Sequence, residues 1–264
     1  MLGLSALLLF VMGILAGIVN AAVGSGSLLT LPVLLALSVP PGVAVRTNTI
    51  GMSFATIASV LGFRKEIAAE KRHLVPLSIT TIVCASAGSI LLLLSPSSAL
   101  DIVVPILIVV ALALVIGQPY LTAWLNKRRE ADPGTQTGPV GEAYESPWLV
   151  APMGAAAVYG GYFTAAQGVL YMGILGIATS RSMKDVNPVK NLMQLYVNAT
   201  AAIVYLVAFV FFDAHVWWAS VVILAEGGMI GGYVGSHVAK RLPNSVLRAT
   251  IVVVALVALV RQFV

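Results

Sequence analysis

Eight apolar runs, at 3–23, 47–62, 75–94, 102–125, 148–167, 191–212, 216–238 and 244–260, constrain this chain more than any other feature of its sequence. A hydrocarbon core of about 30 Å takes roughly 20 helical residues to cross. In lipid, every backbone N–H and C=O must find its partner within the protein. Solid apolar runs meet that demand as helices, whereas a barrel would alternate apolar and polar residues along each strand. The predicted fold is therefore an all-α polytopic membrane protein with about eight full transmembrane helices. Charged residues make up only 9% of the chain and hydrophobic ones 59%, against a charged share of about 25% in soluble domains, so a water-soluble globule is excluded.

The net charge of +5 does not point to nucleic acid, because the basic residues are scattered through short loops between apolar runs. There they set orientation. Loop 63–74 carries Arg64, Lys65, Lys71 and Arg72, loop 126–147 carries Lys127, Arg128 and Arg129, and loop 239–248 carries Lys240, Arg241 and Arg248. These loops are predicted to face the cytoplasm. The turns at 95–101 and 212–216 hold no Lys or Arg, only Asp101, Asp213 and His215, and are predicted to face outward. Both termini are then expected on the periplasmic side, and no Lys or Arg precedes the first run, which argues against a cleaved signal peptide. Cys84 is the only cysteine, so neither an intramolecular disulfide nor a cysteine metal cluster is expected. No cofactor or metal is implied.

The stretch from Asn20 to Asn48, NAAVGSGSLLTLPVLLALSVPPGVAVRTN, has an echo later in the chain. Shifted by 144 residues, Gly17, Asn20, Ala21, Ala22 and Gly24 fall on Gly161, Thr164, Ala165, Ala166 and Gly168, and a one-residue deletion then sets Thr47-Asn48 on Lys190-Asn191. We read this as an internal duplication, with repeat 1 at 1–125, a cytoplasmic linker at 126–147, and repeat 2 at 148–264. Between the linker and the turn at Asp213 the number of crossings must be odd. Either all three apolar segments there cross, or the first two form a hairpin. Two short segments, 27–38 and 169–180, are thus expected to be broken or re-entrant, and the second half is inverted relative to the first. Inverted repeats with broken helices mark secondary transporters, whose sites lie near the midplane where the copies meet. The Gly- and Pro-rich part of the linker, 130–147, reads as flexible and without chemistry.

Within this frame a few polar residues could carry function. Gly24-Ser25-Gly26-Ser27 is not a nucleotide loop, since no Gly-Lys-Ser or Gly-Lys-Thr follows. It either serves close packing or frees N–H groups that, with the positive end of the helix beginning at Ser27, hold an anion. Asn20 and Ser25 flank that break, and Gln167 flanks its counterpart. Asn187-Pro188 is expected to interrupt the chain just before Lys190-Asn191, with Asn187, Asn191, Gln194 and Asn198 forming one polar stripe. Lys190 either snorkels to the surface or faces a pathway, and Arg46, beside Thr47 and Asn48, either snorkels to the outer surface or joins the site. The predicted substrate-binding set is Asn20, Ser25, Arg46, Thr47, Asn48, Gln167, Lys190 and Asn191. Glu226, the one carboxylate deep in an apolar run, is the candidate for proton coupling or for a structural pair. Its neighbours Gly227, Gly231 and Gly235 form a packing stripe.

These motifs resemble the TauE/SafE, or sulfite exporter, family of membrane permeases. The resemblance covers essentially the whole chain: GSGSLLTLP at the first break, the Pro-Pro turn leading into AVRTNT, the basic loop after the next helix, and NPVKN in the second copy. The second break reads AAQGVLYMGIL, with fewer glycines than the family often shows there. The resemblance implies a secondary transporter that moves a small anion such as sulfite, thiosulfate, sulfoacetate or another organosulfonate across the bacterial inner membrane by alternating access. An anion channel is the nearest alternative. An intramembrane hydrolase using Ser25 or Ser27 would need a His at membrane depth, and His73, His215 and His237 all lie at or near segment ends.

Overall fold

The computed structural model describes residues 2–131, 140–179 and 181–238. Among them are eleven helices and no strand: α1 (Leu2–Ala22), α2 (Ser27–Ala36), α3 (Pro41–Gly62), α4 (Arg64–Glu70), α5 (Val75–Leu94), α6 (Ser97–Ala131), α7 (Val140–Glu145), α8 (Pro147–Phe163), α9 (Gln167–Thr179), α10 (Met183–Phe212) and α11 (Trp218–Val238). Five of these, α1, α5, α6, α10 and α11, are long and apolar enough to cross a membrane. The 22-residue α3 has the length, but Arg46, Thr47, Asn48 and Thr49 dilute its hydropathy. With 17 residues, α8 falls short of the roughly 20 that a crossing takes. The expected span 244–260, the loop with Lys240, Arg241 and Arg248, and the middle of the linker lie outside the described residues.

Glycine decides how the bundle packs. A Cβ on Gly231 of α11 would sit 2.0 Å from the Ile14 carbonyl of α1, and one on Gly232 would sit 2.3 Å from the Ala55 carbonyl of α3. Two adjacent glycine rows thus let α11 lie between α1 and α3 with backbones in contact. Contacts advance in step along the helices, from Gly13 against Gly227 to Ile18 against Gly235, and from Gly51 against Leu224 to Gly62 against Ser236, so all three run parallel. The same device recurs on the other side of the molecule. Cβ atoms on Gly88 of α5 and Gly161 of α8 would meet the carbonyls of Val158 and Ala85 at 2.1 and 2.2 Å. α10 then packs against both α3 and α5 and joins the two groups.

These directions settle the path of the short helices. Because α1 and α3 both run parallel to α11, α2 must return toward the end from which α1 came. α1 and α2 therefore form a hairpin. By the same reasoning α8 runs parallel to α5, and α9 comes back to the end where α10 begins. The two hairpins enter from opposite ends and meet at their tips, where the Gly168 N–H donates to the Gly24 carbonyl at 3.0 Å.

Three expectations need correction. Asn187-Pro188 does not break the chain: α10 runs without interruption from Met183 through Pro188. Ser182 starts it, accepting a hydrogen bond from the Asp185 N–H and donating its hydroxyl proton to the Asp185 carboxylate. A proline in the second turn removes only one backbone bond. Loop 63–74 contains the short helix α4. The described end of the linker is not without structure, for it forms α7, and Tyr144 there is fully buried. The Tyr144 hydroxyl donates to Glu70 Oε2 at 2.7 Å, while Arg181 Nη1 donates to both Glu70 Oε2 at 2.9 Å and the Tyr144 oxygen at 2.6 Å. Burial, then the hydrogen bond to Glu70, pushes the Tyr144 phenol well above its ordinary range. Burial works against the Arg181 charge, yet Glu70 and Tyr144 outweigh it and hold its pKa above normal. The cluster ties α4, α7 and the start of α10 together at one end of the bundle.

Gly231→Ala should overpack the α1–α11 seam and destabilise the purified protein by about 1–3 kcal/mol. Gly117→Ala, where an added Cβ meets nothing within 4 Å, should be neutral or stabilising by up to about 1 kcal/mol. Thermal melts in detergent that fail to separate the two variants would contradict the packing described for α11.

Candidate functional site

The interior of the molecule is polar where the first hairpin turns. α1 ends at Ala22, and Gly24 takes φ +83°, a left-handed conformation that glycine adopts without strain. α2 then starts at Ser27 with Gly26 as its N-cap, which offers no side chain to the first N–H groups. The opening N–H groups of a helix have no intrahelical partners and carry its positive end. Ser25 lies in the gap, 1% exposed, and its hydroxyl has no hydrogen-bond partner.

The second hairpin turns more sharply than its glycine content suggests. Thr164 and Ala166, neither of them glycine, take φ of +62° and +57°. The Tyr159 hydroxyl steadies that turn by donating to the Ala165 carbonyl at 2.8 Å. Gln167, the first residue of α9, is fully buried against Gly160, and neither polar atom of its amide is paired.

α10 lays its polar stripe against the open end of α1. Lys190 Nζ donates to the Asn20 carbonyl at 2.9 Å and to the Ala21 carbonyl at 3.4 Å. Asn187 and Asn191 both donate to the Ala21 carbonyl, at 3.2 and 3.1 Å. Gln194 donates to Asn20 Oδ1 at 2.7 Å and to the Gly24 carbonyl at 3.5 Å. The last carbonyls of a helix lack partners and form its negative end, so one cation and three amides from α10 complete what α1 leaves open. Lys190 is fully buried and touches only neutral carbonyls, with no carboxylate within ion-pair distance among the described residues. Asn20 Nδ2 stays unpaired and 2% exposed beside it.

The structure thus brings Asn20, Lys190 and Asn191 together at the first hairpin, with Ser25 at its tip. Asn48 accepts a hydrogen bond from the Thr30 hydroxyl of α2, and its Nδ2 is unpaired. Arg46 and Thr47 are engaged elsewhere. Arg46 Nε donates to the His215 carbonyl at 3.2 Å, and the Thr47 hydroxyl accepts from the Trp217 N–H at 3.1 Å, so both tie α3 to the turn before α11. Glu226 lies on the exposed face of α11, whereas Gly227, Gly228, Gly231 and Gly232 pack against α1 and α3. The inner helix of the second hairpin, α9, starts at Gln167, while Lys190 sits about 10 Å into α10 because Pro188 does not interrupt that helix. Asn187 and Gln194, which fell outside the predicted binding set, contact α1 directly. Their helical spacing with Asn191 was the signal that could have placed them there.

Residues 9–261 match the sequence profile of the family described as Sulfite exporter TauE/SafE. The chain is 25% identical to the Probable membrane transporter protein YfcA of Escherichia coli (strain K12) over 250 residues, 94% of this chain and 86% of that one. It is 23% identical to the Probable membrane transporter protein ORF9 of Sinorhizobium sp over 254 residues, 96% of this chain and 90% of that one. No solved structure gives a significant match.

The hairpin tips respond to single atoms. Gly24→Ala would strain a φ of +83° and place a Cβ 2.4 Å from the Gly168 Cα, so a large loss of thermal stability is expected. Ala166→Gly should instead relieve a left-handed residue and stabilise by about 1 kcal/mol. Opposite shifts in melting temperature are the expected pattern, and a stabilised Gly24→Ala variant would refute the tip geometry.

Proposed function

Because the chain belongs to the TauE/SafE sulfite exporter family, a family of membrane transporters rather than enzymes, we propose that it is a secondary transporter moving a small anion, sulfite or an organosulfonate, across the inner membrane by alternating access. The observation that carries this reading is Lys190: a fully buried cation whose contacts are all neutral. A buried charge without a counter-charge costs several kcal/mol. A bound anion supplies the missing partner, and the unpaired donors Asn20 Nδ2 and Ser25 Oγ at the start of α2 suit the same ligand.

The inverted-repeat reading is supported by an exchange of packing partners. α1 of the first half pairs with α11 of the second, and α8 of the second pairs with α5 of the first. Gly24 and Gly168, equivalent under the shift of 144 residues, touch each other where the hairpins meet. Arg64, Lys65, Lys71 and Arg72 gather at the end where α3 stops and α5 starts, which supports placing that end in the cytoplasm. A tag ahead of α1 is then periplasmic, and one at Lys71 cytoplasmic.

Lys190→Gln keeps a donor for the Asn20 carbonyl but removes the charge. Binding of sulfite, thiosulfate or sulfoacetate should weaken by about 3 kcal/mol, roughly a hundredfold. Asn20→Ala should lose only about 1 kcal/mol. Calorimetric titration of the folded variants decides it, and parental affinity in Lys190→Gln moves the site elsewhere. Proton coupling through Glu226 makes a separate demand: Glu226→Gln should flatten the pH dependence of flux in proteoliposomes, and an unchanged profile removes Glu226 from coupling.

A further inference from the structure

A second feature of the molecule lies apart from the hairpin tips. At the end where α5 and α10 stop and α3 and α11 begin, a cavity of about 600 Å³ opens between α3, α5 and α10, within the range of small-molecule sites. Its walls are apolar: Ile90, Leu93 and Leu94 from α5, and Ile203, Val207 and Phe212 from α10. Arg46 is the one charged residue that lines it among the described residues. Several of the wall residues face outward, Ile203 at 61% and Leu94 at 74% exposure. On membrane-spanning helices such an opening meets acyl chains rather than water.

We propose that this cavity holds a phospholipid from the surrounding leaflet, with one acyl chain between α5 and α10 and the phosphate on the Arg46 guanidinium. Depth and charge both fit. Arg46 is about 8 Å into α3 by helical rise, and the cavity is walled by Leu94 and Phe212, the last residues of α5 and α10, so the guanidinium lies near headgroup level. Its Nε–H is taken by the His215 carbonyl, and no carboxylate pairs with the other N–H groups among the described residues. Asp213, in the adjoining turn, is exposed and beyond ion-pair distance. A guanidinium with free N–H groups matches a phosphate bidentately, and basic pockets between membrane helices take lipid headgroups. A small inorganic anion would use the cation and leave the apolar walls without a role. A neutral lipid would do the reverse.

The delipidated full chain, titrated in detergent with phosphatidylglycerol and followed by native mass spectrometry, tests the assignment. The parent should retain one tightly held lipid, and Arg46→Gln should bind it at least about tenfold more weakly, as loss of a charge-assisted hydrogen bond requires. Val207→Trp, at a half-exposed wall position, should block the chain while leaving Arg46 in place, and it carries the test if Arg46→Gln does not fold. Parental retention in both variants overturns the proposal. So does full competition by inorganic phosphate, which would make the cavity a small-anion site. Equal binding of diacylglycerol would show that Arg46 does not read the phosphate and would overturn it as well.

Discussion

The structure depends on how α1, which stops at a buried point of the bundle, disposes of its last carbonyls. Lipid offers them nothing. α1 ends at Ala22, and the carbonyls of Asn20, Ala21 and Gly24 receive donors from Lys190, Asn187, Asn191 and Gln194 of α10, with Gly168 of α9 donating to Gly24 as well. One helix from late in the chain thereby makes a break in the first helix tolerable. The same arrangement concentrates a charge and several amides at one buried point, and the proposed anion site rests on that concentration.

Glycine plays the complementary part. In the groups α1–α11–α3 and α5–α8 it lets backbones come into contact, as Gly231 against Ile14 and Gly161 against Ala85 show. Large residues lie on both sides of the helices: Phe163, Tyr171 and Tyr205 are fully buried, while Leu4, Leu94 and Phe212 are turned outward at 74–77% exposure. The exposed apolar faces depart from the soluble pattern, as expected where the solvent is hydrocarbon and van der Waals contact between helices is the available attraction.

Much of this was legible in the sequence, for physical reasons that also mark where legibility ended. Apolar run length located α5 to the residue and α1 within one residue. It misjudged α3 and α10, because their first two turns carry Pro41, Arg46, Asp185 and Asn187, whose ring or polarity hides helical continuity from a hydropathy reading. Pro188 looked like a break because the bonds of Ser182 with Asp185, which start the helix upstream, are invisible without geometry. Asn20, Lys190 and Asn191 were singled out by polarity in an apolar setting, and they do converge. Arg46 and Thr47 shared that signal but bind the turn at His215 and Trp217, and no local pattern separates the two outcomes. Tyr144 could not be found at all, since its partners Glu70 and Arg181 are distant in sequence and its own neighbourhood reads as linker.

The exchange of partners between the two halves has a consequence for biosynthesis. α1 and α3 leave the ribosome early, yet the helix that fills the space between them, α11, begins at Trp218. At about 5–20 residues per second, these two helices wait on the order of ten seconds or more in the bilayer with the α1 face around Gly13 and Gly17 uncovered. α5 waits likewise for α8. Neither half of the chain can complete its own contacts, so the order of synthesis and the order of assembly are decoupled. The earliest segments of the nascent chain are covered only once α11 has been made.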